Sequence, residues 1–241
     1  MKNYLLIGDI HSQGSDLALV LKHAKSLNLT PIFLGDLFDS RCDNSETIYV
    51  WNQVKVAQTE LGAIVLNSNH QERLLSHLKG DPESPSIASE TWRTHAEFEE
   101  AGVDLNELTT WLGGLPDGFV FRDSNGVQYG CAHAYFPSRY IHPDTAEDYI
   151  VYAASDHDKQ SMAWGPYDHR HRRIKWWRET FLPQWIRCAG HYHVVHVDQS
   201  SIVLDANAGF HDGKIPAYNV NAKELVYFST SDTQSTKATE S

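Results

Sequence analysis

Pro31-Ile32-Phe33-Leu34-Gly35-Asp36-Leu37-Phe38-Asp39 is the stretch on which the fold turns. A short apolar run ends in Gly-Asp, the pattern of a buried strand with an acid at its end. The same phrase stands earlier, where Tyr4-Leu5-Leu6-Ile7 runs into Gly8-Asp9-Ile10-His11. Between them, apolar residues at 17, 20, 21, 24 and 27 give Asp16 to Leu27 the spacing of an amphipathic helix. Downstream, Ser45 to Leu61 reads as a helix, Ala63 to Leu66 as a third strand and Gln71 to Leu78 as a helix. An alternating β-α-β-α-β order implies parallel strands buried under helices.

The middle of the chain, about 80 to 117, is polar and then helical, with helices over Glu90–Ala101 and Leu105–Leu112, and ends in the turn Leu115-Pro116-Asp117-Gly118. Strands follow at Phe119–Arg122, Val127–Ala132, Trp185–Ala189, Val194–Asp198, Ile202–Asp205, Ala217–Val220 and Glu224–Phe228. The stretch from Asp144 to Leu182 reads as helical in parts and holds much of the tryptophan. Two sheets, each covered by helices, form the natural packing solution for this α/β chain. No repeat or Pro/Gly-rich linker divides it, so residues 1–228 are expected to form one domain with a helical insertion at about 80–117. Residues 229–241 are almost entirely Ser, Thr, Asp, Gln, Lys, Ala and Glu and are expected to form a disordered tail.

Composition narrows the class. The 241 residues carry 20 Lys+Arg against 31 Asp+Glu, a net charge of −11, which disfavours a broad nucleic-acid-binding face. A hydrophobic fraction of 41% is too high for a disordered chain. The first apolar run is too short for a signal-peptide core, and no stretch reaches the roughly 18–20 apolar residues of a membrane span. Cys42, Cys131 and Cys188 are odd in number and widely spaced. That favours a reduced, cytoplasmic protein, with Cys131 and Cys188 as buried strand residues.

The 14 histidines are the unusual feature, and some are organised. Three strands end in Gly8-Asp9-Ile10-His11, Gly35-Asp36-Leu37-Phe38-Asp39 and Asn67-Ser68-Asn69-His70. Intervals of 27 and 33 residues separate Asp9, Asp36 and Asn69, each about one strand-helix-strand unit. The three turns should therefore lie side by side at the carboxyl edge of one sheet, where α/β folds place ligands. His133 follows another strand, and Gly190-His191-Tyr192-His193 a further one. Any one of these alone is more often a cap, a turn or a structural histidine. Five in order, each after a strand-like run, point to a metal centre. Carboxylates, an amide oxygen and imidazoles together suit Mn²⁺, Fe or Zn²⁺ better than Ca²⁺.

As a set these motifs resemble the signature of the calcineurin-like metallophosphoesterases: Asp-x-His, Gly-Asp-x-x-Asp, Gly-Asn-His-Glu or -Asp, His, and Gly-His-x-His. The likeness extends from residue 4 to about 228. It is greatest to compact bacterial and phage phosphoprotein phosphatases, through Asp39, the run Tyr129-Gly130-Cys131-Ala132-His133-Ala134 and the late strand Val203-Leu204-Asp205-Ala206-Asn207-Ala208-Gly209. Symmetrical dinucleoside-tetraphosphate hydrolases share much of it.

The resemblance implies a four-layer αββα sandwich of two mixed β-sheets flanked by helices, bearing two divalent ions, with Mn²⁺ preferred and Fe or Zn²⁺ as alternatives. Asp9, His11, Asp36 and His193 would hold one ion. Asp36, Asn69, His133 and His191 would hold the other, with Asp36 bridging. A hydroxide between the ions would attack phosphorus, while His70, oriented by Asp39, assists the leaving group. Arg41 is expected as a phosphate clamp, with Arg139, Arg170, Arg172 and Arg173 as candidates for a second one.

Several features depart from the family pattern. Ser40 is inserted before Arg41 and Cys42 replaces a glycine. Ser68 stands for a glycine that a positive φ would demand, and Gln71 replaces an acid. His193 mixes features of two branches. The expected substrate is a phosphorylated protein or small phosphate ester. A dinucleoside polyphosphate hydrolase or a phosphodiesterase is the alternative, followed by a non-catalytic metal-binding domain. Trp164, Trp176, Trp177 and Trp185 are read as core before groove wall.

Overall fold

The computed structural model describes residues 2–40, 45–81, 89–142, 144–167, 172–178, 185–210 and 212–231. Strand β1 (Tyr4–Ile7), helix α1 (Gly14–Ser26), strand β2 (Thr30–Phe33), helix α2 (Thr47–Glu60) and strand β3 (Ile64–Val65) give the expected alternation. β1 pairs in parallel with β2, and β2 with β3. Helices α3 (Asn69–Leu78), α4 (Ser89–Glu100) and α5 (Leu105–Gly113) follow. Strands β4 (Gly118–Arg122), β5 (Gln128–Ala132) and β6 (Tyr149–Val151) and helix α6 (Asp156–Trp164) come next. Strands β7 (Trp185–Ala189), β8 (Val195–Val197), β9 (Ser201–Leu204), β10 (Ile215–Asn219) and β11 (Glu224–Phe228) complete the elements used here.

Two mixed sheets result. One has the order β11-β10-β1-β2-β3, so the chain returns at its end to pair β10 antiparallel with β1. The other has the order β6-β4-β5-β7-β9-β8. Strand periodicity explains how they stack. Leu5 and Ile7 of β1 face outward onto α1 and α2, packing with Leu17, Val20, Val50 and Val54. Leu6, between them, faces the second sheet beside Ile32, Leu34, Phe121, Tyr129, Cys131, Cys188 and Leu204. Alternate residues thus bury on opposite faces, which is why these strands read as continuous apolar runs. Each fully buried Leu, Ile or Phe contributes about 1.5–3 kcal/mol. On the outer face of the second sheet, Val120, Ala132 and Phe136 pack against Met162 of α6. The architecture is the expected four-layer αββα sandwich. Cys131 and Cys188 are free, buried and opposite one another on β5 and β7.

Three local readings need correction. The stretch after Asp144 contains a strand as well as a helix: β6 pairs antiparallel with β4. Three residues with a half-exposed pattern are too few for a periodicity to show. Helix α3 begins at Asn69, two residues earlier than its apolar pattern, because Ser68 caps it and its Oγ accepts from Gln71 N at 3.3 Å. Ser68 sits at φ −149°, so replacing glycine there introduces no strain. Finally, Ser229 to Ser231, expected in the tail, pack on α1, with Thr230 N donating to Asp16 Oδ1 at 2.6 Å. Residues 232–241 lie outside the described residues.

Candidate metal centre

The carboxyl ends of β1 and β2 are fastened together before any side chain is considered. The backbone N–H groups of Ile10 and His11 donate to Asp36 O at 3.0 and 2.9 Å, and Ser12 N donates to Leu37 O at 2.9 Å. This folds both loops inward and sets His11, Asp36 and Asp39 at φ 46°, 46° and 65°. His191 and His193, after β7, are also left-handed, at 73° and 52°. Such conformations in non-glycine residues are costly and concentrate at sites where side chains must converge. Two glycines make room. A Cβ on Gly35, itself at φ +112°, would lie 2.7 Å from His133 Nδ1, and one on Gly190 would lie 2.0 Å from Asp9 Oδ1.

Asp36 stands at the middle. Its Oδ2 lies 3.6 Å from His11 Nε2 and 3.8 Å from His70 Nε2, and its Oδ1 lies 3.3 Å from His133 Nε2. Two clusters therefore share it: His11, Asp36 and His70, and Asp36, His133 and His191. Within each, the ligand-capable atoms lie within 4.8 Å of one another. Asn69 joins the second cluster, its Oδ1 2.8 Å from His133 Nε2.

The tautomers follow from the carbonyls behind the rings. His133 Nδ1 donates to Leu34 O at 2.9 Å, and His11 Nδ1 donates to Phe38 O at 3.1 Å. A carbonyl only accepts, so both Nδ1 atoms carry a proton, and in the neutral rings both Nε2 lone pairs point at Asp36. Acceptors thus converge on acceptors in a buried site. Among the described residues Asp36 Oδ1 and His191 Nε2, both buried, have no hydrogen-bond partner. An arrangement of this kind is unfavourable unless a cation shares it. The residues fit divalent metal ions, and the mixed N,O donor set matches Mn²⁺, Fe or Zn²⁺.

Asp9 and His193 flank these clusters. Asp9 accepts His191 N through Oδ2 at 3.1 Å and lies 4.0 Å from His11 Nε2. His193 lines the same pocket, but its side chain is 47% exposed and its Nδ1 faces Asp205 Oδ2 at 3.5 Å. Asp205 figures in the sequence only within the run from Val203 to Gly209, with no role assigned. It is buried, takes the His193 N–H at 2.6 Å and lies against Asp9.

Asp39 is more heavily supported than its sequence suggested. Its Oδ2 accepts from His70 Nδ1 at 2.9 Å and from Thr91 Oγ1 at 2.8 Å. Its Oδ1 accepts from Thr94 Oγ1 at 2.6 Å. Both threonines come from α4, so the helical insertion carries the second layer behind His70. Thr91 and Thr94 carry no motif, and only the threonines' spacing of one helical turn could have drawn attention to them.

The electrostatics follow from acids and imidazoles packed together in a buried site. Burial, then Asp205 and Asp36, pushes the Asp9 carboxyl well above its ordinary value. Burial works the same way on Asp36, but the imidazoles of His133 and His70 outweigh it and hold that carboxyl well below. Burial also opposes ionisation of Asp39, and is outweighed by His70, Thr94 and Thr91. Burial lowers His11, and burial with His133 lowers His191 well below the usual imidazole range. His70 moves up, because Asp36 and Asp39 overcome its burial.

The pocket over this centre holds about 80 Å³ and is lined by His11, Asp36, Asn69, His70, His191 and His193 together with Arg73 and Arg173. Arg173 was expected; Arg73 was not. Arg172 is exposed and is not part of that lining. Arg139 is paired with Asp158 and borders a different cavity. Arg41 and Arg170 lie outside the described residues. Trp176 and Trp177 are buried in a cluster with Ala189 and Val203, as core residues.

This arrangement of sheets is the calcineurin-like metallophosphoesterase fold. The chain is similar to a protein described as a candidate diadenosine tetraphosphatase, at 17% identity and a TM-score of 0.55, over 94% of this chain and 92% of that one. It is similar to the cold-active protein-tyrosine phosphatase of a psychrophilic Shewanella species, at 17% identity and TM-score 0.53, over 95% and 81% of the two chains. It is also similar to a protein serine/threonine phosphatase from Saccharomyces cerevisiae, at 12% identity and TM-score 0.53, over 95% and 80%. No family model and no curated protein sequence matches the chain. No helix among the described residues is long and apolar enough to cross a membrane.

Proposed function

We propose that this protein is a binuclear metal-dependent phosphatase that hydrolyses phosphate monoesters, on a phosphorylated protein or a small phosphate ester. The observation that carries the reading is Asp36 shared between two buried clusters of ligand-capable atoms, its Oδ1 without a hydrogen-bond partner among the described residues. His11, Asp36 and Asp9, with His193 at the rim, would hold one ion. Asp36, Asn69, His133 and His191 would hold the other. When bound, such ions supply Lewis acidity and a nucleophilic water at neutral pH.

The chain's own residues do the rest. His70 is the general acid: Asp39 fixes its Nδ1–H, its Nε2 faces the pocket, and the carboxylates around it favour the protonated ring. Asp39 holds that ring in place and remains ionised because His70 and then the α4 hydroxyls bind it. Arg173 supplies positive charge at the rim. The pocket's 80 Å³ is far below the roughly 300–1,000 Å³ that encloses a drug-sized ligand. It suits a phosphoryl group whose alcohol portion stays outside, which favours a protein or variable ester over enclosure of a dinucleotide.

The test is hydrolysis of p-nitrophenyl phosphate by protein loaded with Mn²⁺, Fe²⁺ or Zn²⁺. Parallel rates on a phosphopeptide, diadenosine tetraphosphate and a bis-ester would rank the substrates. Turnover of monoesters above the other classes supports the proposal, and inertness with every metal refutes it.

A further inference from the structure

Arg73 has no place in the motifs that revealed the site. On α3 it lies three residues after His70 and four after Asn69, so one helix face carries an amide, an imidazole and a guanidinium together. All three line the pocket. Among the described residues Arg73 has no carboxylate partner. Its guanidinium carbon instead stands 4.7 Å from the centre of the Trp164 ring.

Trp164 is itself held. Its Nε1 donates to Glu72 Oε2 at 2.9 Å, while Glu72 Oε1 accepts from Asn67 Nδ2 at 3.1 Å and lies 3.9 Å from Lys159 Nζ. The acid next to Arg73 in sequence is therefore engaged elsewhere, and an aromatic face supports the guanidinium without neutralising it. A half-buried guanidinium that faces a pocket and lacks an internal anion is suited to an anion from solution. Arg173 reaches the same pocket from a different segment.

Resting on the phosphatase reading, we propose that Arg73 binds the substrate phosphoryl group from α3, and that Trp164 is its positioning residue. The substrate class this selects is a terminal phosphate with two free anionic oxygens, one for each guanidinium.

Calorimetric titration of inorganic phosphate into Mn²⁺-loaded protein reads the clamp without turnover. Loss of a charge-assisted pair in Arg73→Ala is expected to weaken phosphate binding by about tenfold or more, and Arg73→Lys by less, since an ammonium cannot fork. Trp164→Leu is expected to weaken it by about threefold or more, while Trp164→Phe, which keeps a ring face but not the Nε1–H bond to Glu72, loses less. Equal affinity in wild type and Arg73→Ala, or no phosphate binding by the wild type, overturns the assignment. Equal affinity in Trp164→Leu and Trp164→Phe overturns the positioning role. Metal content and melting temperature establish that each variant is folded, and Arg73→Gln serves if Arg73→Ala is not. Phosphate held through Arg73 without hydrolysis of any ester would leave the clamp standing and remove the phosphatase.

Discussion

Thr94→Val should cost more than Thr91→Val, although both remove one hydroxyl from the same carboxylate. Asp39 Oδ1 has Thr94 as its donor, whereas Oδ2 keeps His70 when Thr91 is lost. Thr94→Val therefore leaves a buried, ionised oxygen without a partner, and a hydrogen bond to a charged group is worth about 1.5–3 kcal/mol. Thr91→Val removes one of two bonds and should cost about 1 kcal/mol. In a chain of this size 1 kcal/mol moves the melting temperature by about 2–4 °C. The expected losses are then about 3–12 °C for Thr94→Val and about 2–4 °C for Thr91→Val. Thermal melts of the two variants at neutral pH check this. The sign with pH is also fixed. Asp39 sits below its ordinary carboxylate value in the folded protein, so the stability it contributes is present above that value. It is lost as pH falls through the depressed folded value, and the gap between Thr94→Val and wild type should close in that range. Equal losses in the two variants, or a larger loss from Thr91→Val, would refute the assignment of donors to oxygens.

Asp36→Asn should reduce both bound metal and ester hydrolysis, by more than about a hundredfold in rate, because it touches both clusters; metal analysis beside kinetics checks it. His70→Gln should retain metal yet lower kcat by about 10²–10⁴ with little change in KM, the signature of a lost general acid in steady-state kinetics. Asp9→Asn in chelator-treated protein should stabilise the fold at pH 8. Asp9's raised value means that the fold loses stability as pH climbs from the ordinary carboxylate value towards the raised one, so the two proteins should melt alike only below the ordinary value. Gly190→Ala should abolish metal uptake, since its methyl would meet Asp9 Oδ1 at 2.0 Å, as metal analysis of the folded variant would show.

Much of this was legible because the centre is assembled from strand ends. A strand ending in Gly-Asp announces both the sheet and the residue it delivers, so β1, β2 and the loops bearing Asp9 and Asp36 could be read together. β6 could not, since three residues on a sheet edge carry no period. Thr91 and Thr94 act through Asp39, 52 and 55 residues away, and nothing local marks them; Asp205 stood in the run from Val203 to Gly209, but its partners Asp9 and His193 belong to other loops. Arg73 was hidden differently. Its spacing from His70 was visible, but a charged residue on a helix is usually a solvated one, and only Trp164, distant in sequence, distinguishes it.

The left-handed backbone at His11, Asp36, Asp39, His191 and His193 bears on how such a centre can be lost. An ordinary side chain in that conformation costs about 1–2 kcal/mol, whereas glycine pays nothing and asparagine little. Alanine at Asp36 would therefore combine a missing ligand with backbone strain, and asparagine would isolate the chemistry. Over generations the same asymmetry gives drift a preferred route: Asp→Asn and His→Gly or His→Asn are tolerated by the loops that need the ligands most. A descendant could thus keep every strand and turn of this scaffold, and even relax it, without the side chains of the proposed metal centre.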